Sequence, residues 1–305
     1  MSRPSPARAG FDLVIRRPGL VFAEIAWRWC FGLASLVLLA LACGLFFASI
    51  RVTDADMQLA RSGSPWIAAD VVARLLQANK APLLRGLAVL IPGIAILWTV
   101  AAAVGRMITT PPLMAASSRR GSGSFSALLG ISFLRAALML ALLAGYFACA
   151  LIAAEVSNLA GGDPAAVVQS FLLVFLPLFL LVMVAWGILN WFFSVAPIFA
   201  VRDGRSTLAA FADTVRLFTR NKRDFIAIGS AYGLAKTIAV TVVTVLGIVL
   251  AGALSSVPGL LAVVLVVLTL AYFAFADLLN LARLASYAVL AEAPAPEPAS
   301  QTTSA

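Results

Sequence analysis

The stretch "APIFAVRDGRSTLAAFADTVRLFTRNKRDFIAIG", residues 196–229, joins two apolar runs through a burst of cations. Arg202, Arg205, Arg216, Arg220, Lys222 and Arg223 fall within 22 positions of a chain in which only 11% of the residues are charged. Such clustering is what a bilayer imposes. Cations are excluded from hydrocarbon and collect in the loops on one side of it.

Working outward, the flanking runs recur along the whole chain. With 62% hydrophobic residues and a mean hydropathy of +1.02, the composition is far more apolar than a soluble domain's. A hydrocarbon core about 30 Å thick needs roughly 20 helical residues to cross it. Six runs meet that length, at 30–50, 86–105, 131–154, 171–193, 226–251 and 260–290. The fold class expected is all-α, a polytopic membrane bundle of six transmembrane helices plus amphipathic surface helices. Residues 1–291 form one integral membrane domain, and the Pro-rich tail 292–305 is expected to be a disordered cytoplasmic extension. The sixth run is longer than a crossing requires, so its helix should project beyond the membrane. Pro92 and Pro177 lie inside spans, where neighbouring helices can satisfy the freed carbonyls.

The net charge of +9 does not point to nucleic acid, because the cations lie between spans, where they orient the chain and meet anionic lipid. One side collects Arg3, Arg8, Arg16, Arg17 and Arg28, then Arg106, Arg119, Arg120 and Arg135, then the cluster at 202–223. That side, with both termini, is expected to be cytoplasmic in a bacterial inner membrane. The opposite side carries cations only around its first loop, from Arg51 to Arg85, and none at 155–168 or 255–259. The first run is long and follows nearly 30 residues, which suits a signal anchor; "FFAS" at 46–49 is a weak cleavage signal. Cys30, Cys43 and Cys149 fall in apolar runs and imply no disulfide framework; they are expected to be small buried hydrophobes.

Within 206–223, Leu208, Phe211, Ala212, Val215, Phe218 and Thr219 recur at helical spacing beside a polar stripe of Asp213, Arg216, Arg220 and Arg223. This predicts an amphipathic helix with Ser206 as N-cap. Two readings of it stand. Its apolar face lies in the acyl boundary while Arg216, Arg220 and Arg223 reach anionic phospholipid headgroups, or the helix packs on the bundle and its cations only satisfy the charge asymmetry. "PLMAASSRR" at 112–120 parallels "PIFAVRDGR" at 197–205, and "RRPGLVFAEIAWRW" at 16–29 holds an analogous place, with Pro18 suited to a first helical turn. These matches rest on few residues and point to three units of surface helix plus transmembrane hairpin.

The sequence "SVAPIFAV", followed by "STLAAFADTVRLFTRNKRDF" and a further apolar span, resembles in layout the six-helix bacterial inner-membrane families similar to the membrane domain attached to some glycerophosphodiester phosphodiesterases. The resemblance covers mainly 185–250. It implies an all-helical membrane unit; these 305 residues leave no room for a soluble catalytic domain, so no phosphodiesterase activity is expected to carry over.

The chain contains no histidine, which removes His-based acid/base catalysis, His-activated nucleophiles and nearly all zinc patterns. "GSGS" at 121–124 lacks the lysine and strand context of a phosphate loop and reads as a flexible connector. Asp54, Asp56 and Asp70 read as solvated loop charge, or as a cation site, beside a short surface helix "SPWIAADVVARLLQANK". No cofactor and no metal are expected. The function expected is that of a non-catalytic membrane protein, organising or regulating lipid or protein partners. A transporter of a small solute or lipid is the alternative, and an intramembrane enzyme resting on Asp277, Lys236 or a tyrosine stands third.

Lys236 lies 20 residues before Ser256 and Asp277 lies 21 after it, so an antiparallel hairpin turning at Ser256 places both at one depth, roughly 30 Å from the turn. An intramembrane ion pair is expected there. The alternative is that Lys236 snorkels inward and Asp277 already lies in the inner interface.

Overall fold

The computed structural model describes residues 5–49, 80–114, 125–160 and 164–293, with isolated positions between 58 and 79. The helices, in chain order, are α1 (Pro6–Ile15), α2 (Pro18–Ser49), α3 (Lys80–Thr109), α4 (Phe125–Ala160), α5 (Pro164–Val195), α6 (Pro197–Arg202), α7 (Thr207–Arg220), α8 (Lys222–Ala253) and α9 (Pro258–Glu292). A 3₁₀ turn, Pro111–Leu113, follows α3. No strand occurs among the described residues. Prolines at the first position start α1, α2, α5, α6 and α9, where the missing N–H costs nothing. α3 and α5 run through Pro92 and Pro177 without interruption.

Six of these helices are long and apolar enough to cross a membrane, with mean hydropathy between 2.2 and 2.8 in their most apolar windows. In α2, α5, α8 and α9 those windows contain no residue buried by protein. Leu181 is 67% exposed and Ile248 68%. In water a surface of this kind would be untenable; in hydrocarbon it is the solvated face. The chain is an integral membrane protein.

Two compact units divide the chain, one of residues 1–27 with 102–305 and one of 28–101. In the smaller unit, Phe31 of α2 meets Trp98 of α3 edge to face, with centroids 5.0 Å apart. In the larger, α4 packs along α5 and α9 along both α8 and α1. Tyr146 of α4 abuts Phe175 and Phe179 of α5, each at 5.7 Å. The core sits at the helix ends that face 195–222. It takes in Val14 of α1, Leu128 and Ile131 of α4, Phe225 of α8, and Leu281 and Tyr287 of α9.

Four expectations need correction or completion. Residues 18–29 do not form a separate surface helix: they open α2, because nothing after Pro18 and Gly19 interrupts helix propagation up to the span. The helix that precedes α2 is α1; of "PLMAASSRR" at 112–120 only the part up to Met114, in and after the 3₁₀ turn, is described, and 115–124 with "GSGS", Arg119 and Arg120 lies outside the described residues. On α7 the buried line is Ala210, Thr214 and Leu217, with Phe211 and Phe218 half-buried, while Leu208 is 73% exposed. At about 100° per residue, that line is centred roughly 140° from the apolar stripe read from the spacing, with Phe211 and Phe218 between the two. Small side chains let α7 approach closely, and Thr214 satisfies its hydroxyl on Ala210 O at 3.0 Å. Among the cysteines, Cys149 is buried as expected, but Cys30 and Cys43 are exposed along α2. The segment "SPWIAADVVARLLQANK", with Asp70, falls mostly outside the described residues, as do Asp54, Asp56 and the tail beyond Ala293.

α1 is held by a close crossing. A Cβ on Gly10 would overlap the backbone N and Cα of Ser286 on α9, and Ser286 Oγ donates to Ala282 O at 2.8 Å. The Tyr232 hydroxyl of α8 donates to Ala7 O at 3.0 Å. The corner after α1 is tied by Arg17, whose guanidinium donates to Pro112 O.

Candidate functional site

The segment that opened the sequence reading folds into a corner. α6 ends at Arg202 with Asp203 as C-cap, and Gly204 takes the left-handed conformation, φ 64°, that a glycine adopts without penalty. The turn places Asp203 and Arg205 against the polar side of α7. Ser206 holds the N-cap position, extended at ψ 163°, although its side chain makes no capping bond.

Between this corner, α7 and the end of α9 lies a cleft of about 510 Å³. Its charged lining is Arg202, Asp203, Arg205, Asp213, Arg216 and Arg220, with Asn221 beside them. Arg202 is engaged through all three of its guanidinium nitrogens: Nε and Nη2 grip the Asp203 carboxylate at 2.9 and 2.8 Å, and Nη1 donates to Ala291 O at 2.8 Å. Its guanidinium also stacks 4.9 Å over Phe199. A cation at the carbonyl end of α9 is favourably placed against the helix dipole. Asp213 is shared by Arg205 Nε at 3.2 Å and Arg216 Nη1 at 3.1 Å. Arg220 has no carboxylate partner among the described residues. Four arginines against two aspartates leave the lining with a formal charge of +2.

Of the cations singled out from sequence, Arg216 and Arg220 line this cleft, whereas Arg223 is exposed in the first turn of α8 and is not part of the lining. Beneath the cleft α7 rests on aromatic side chains. Phe211 meets Phe193 at 4.7 Å, Phe218 meets Phe192 at 5.5 Å and Phe225 at 5.4 Å, and Phe225 meets Tyr287 at 4.6 Å. The Trp191 indole donates to Tyr287 Oη at 2.6 Å, and that hydroxyl donates onward to Phe225 O at 3.2 Å.

A polar layer lies deeper along the helices. Arg135 of α4 donates twice to Asn190 Oδ1 of α5, at 3.3 and 3.2 Å, and Arg283 of α9 donates to Ser194 Oγ at 3.4 Å. The α8–α9 hairpin, turned at 254–257, brings the Lys236 ammonium onto Asn280 Oδ1. Asp277, three residues before Asn280 on the same helix, is buried.

One ionic cluster was not singled out from sequence. Glu24, the sole carboxylate of α2, is fully buried. Arg106 of α3 grips it with Nη2 at 3.0 Å and Nη1 at 3.3 Å, and the Trp27 indole donates to the same carboxylate at 3.0 Å. Arg106 also stacks over Trp27 at 5.7 Å. The available signal was a lone acid three residues before a tryptophan, hence on the same helix face, at the mouth of an apolar run.

Comparison of the chain with protein-family models, curated proteins and solved structures finds no match.

Proposed function

We propose that this integral membrane protein is a non-catalytic component of a bacterial cytoplasmic membrane, with both termini and the arginine-rich end inside, that organises or regulates lipid or protein partners. The observation that carries this reading is the exposed cationic edge formed by Arg216, Arg220 and Arg223 beside six apolar helices. Such an edge meets the headgroup layer, where each cation is worth about 1 kcal/mol against an anionic leaflet. The absence of histidine from the chain fits a role without acid/base chemistry, and the layout resemblance to phosphodiesterase membrane domains is carried as architecture only.

The test uses the full chain in vesicles containing a spin-labelled anionic or zwitterionic lipid. Wild type should immobilise the anionic label preferentially. Replacing Arg216, Arg220 and Arg223 with Gln should remove most of that preference, by about fivefold per charge; an unchanged preference rejects the reading. Reporters fused after Ala305 should read as cytoplasmic.

A second reading, transport of a small solute or lipid, is favoured by the polar layer of Arg135, Asn190, Lys236 and Arg283, since such groups inside spans line solute routes. Solute flux in the same vesicles, lost on Arg135→Gln, is its signature. Within that layer we propose that Lys236 and Asp277 act as an ion pair. Lys236→Asp combined with Asp277→Lys should restore folded yield lost in either single variant; a double variant worse than both removes the pair.

A further inference from the structure

We infer that the cleft between α6, α7 and the end of α9 is a discrete site for one phosphomonoester group, carried by a lipid headgroup or by a small soluble phosphate ester. The inference rests on the reading that this end of the protein meets anionic ligands, and adds to it a defined pocket. A diffuse cationic surface needs neither concavity nor oriented guanidinia, and the cleft has both. Its volume, about 510 Å³, falls within the range of small-ligand pockets.

The roles of the lining arginines differ. Arg202 is fixed at all three guanidinium nitrogens by Asp203 and Ala291 O and serves as a wall. Asp213 holds one edge of Arg205 and one edge of Arg216. Each guanidinium has five N–H donors in a fixed plane, so those two retain donors after pairing and are oriented in advance. Arg220 lies one turn beyond Arg216 on α7, a spacing that puts the two side chains on adjacent surface positions where they can flank a single tetrahedral anion. The formal charge of +2 matches a phosphomonoester, which carries about −1.5 to −2 at neutral pH, better than a singly charged phosphodiester.

The full-length protein in zwitterionic nanodiscs is titrated with phosphatidic acid, and separately with glycerol phosphate and inorganic phosphate, and bound equivalents are counted by native mass spectrometry. Saturation at one phosphatidic acid per chain is expected. Arg205→Gln with Arg220→Gln should weaken it by about tenfold or more for each arginine removed, whereas Arg16→Gln, which removes an exposed charge outside the cleft, should change it less than about twofold. Should the double variant lose folded yield, Arg220→Gln alone carries the same comparison, because that side chain is exposed and pairs with no described carboxylate. Displacement by glycerol phosphate or inorganic phosphate at similar concentrations assigns the site to a soluble ester; resistance to both assigns it to the lipid. Non-saturating binding, or equal weakening by Arg16→Gln, overturns the site. Spin-label selectivity that survives such a failure leaves the surface reading standing, and selectivity lost with it removes both.

Discussion

The two ends of the same helices obey different solvents. Where α5, α8 and α9 approach the segment 195–222 they are packed as in a soluble protein, with Phe225 and Tyr287 fully buried and the Trp191–Tyr287–Phe225 hydrogen bonds closed. Along their most apolar windows the same helices have no fully buried residue. Apolar burial drives packing only where water is the alternative; in hydrocarbon a leucine gains little by exchanging lipid for another leucine. Specific structure is therefore concentrated at the arginine end, and the apolar bodies are held chiefly by the bilayer.

That contrast can be broken by substitution. The largest effect is expected at Glu24: Glu24→Gln leaves the buried Arg106 without its counter-charge and should destabilise the protein by about 3–5 kcal/mol. Thermal unfolding in detergent checks it, and Glu24→Leu with Arg106→Met should recover much of the loss; a single variant as stable as wild type would show the pair contributes nothing. Next, Phe225→Ala at the packed end should cost about 3–5 kcal/mol, while Leu181→Ala on an exposed face should stay within about 0.5 kcal/mol. Equal costs in a denaturant titration would erase the distinction between the two ends. Gly10→Val drives a side chain into the Ser286 backbone and should cost about 1–3 kcal/mol; amide exchange in α1 should rise while that of α5 stays put. A comparable effect is expected at Tyr287→Phe, which strips the Trp191 indole and the Phe225 carbonyl of one partner each and should cost about 1–3 kcal/mol without altering spin-label lipid selectivity.

Much of the architecture was legible because its determinants are local in sequence. An apolar run of about 20 residues is a requirement of the bilayer and needs no knowledge of neighbours. Prolines mark helix starts for an equally local reason. The depth count from Ser256 uses the fact that a hairpin with a short turn fixes axial register; that the Lys236 ammonium lies on Asn280 depends on how the helices are rotated. Which side of α7 meets protein was not legible for a related reason. Spacing locates apolar side chains, but Phe211 and Phe218 find Phe193 and Phe192 only through the fold, and the buried Ala210 and Thr214 are small and give a weak hydrophobic signal.

Membrane class, the six spans and the gathering of cations at 202–223 were determined by sequence alone, because hydrocarbon excludes charge whatever the fold. Which cations are held in pairs and which line the cleft was decided only by tertiary structure. Arg106 and Glu24 are 82 positions apart, and Arg202 meets a carbonyl 89 positions away. At such separations nothing in residue type distinguishes a wall from a binding group. Arg202 and Arg220 are the same amino acid; Arg202 has a carboxylate next to it in sequence, and the helix end is what folding brings to it and not to Arg220.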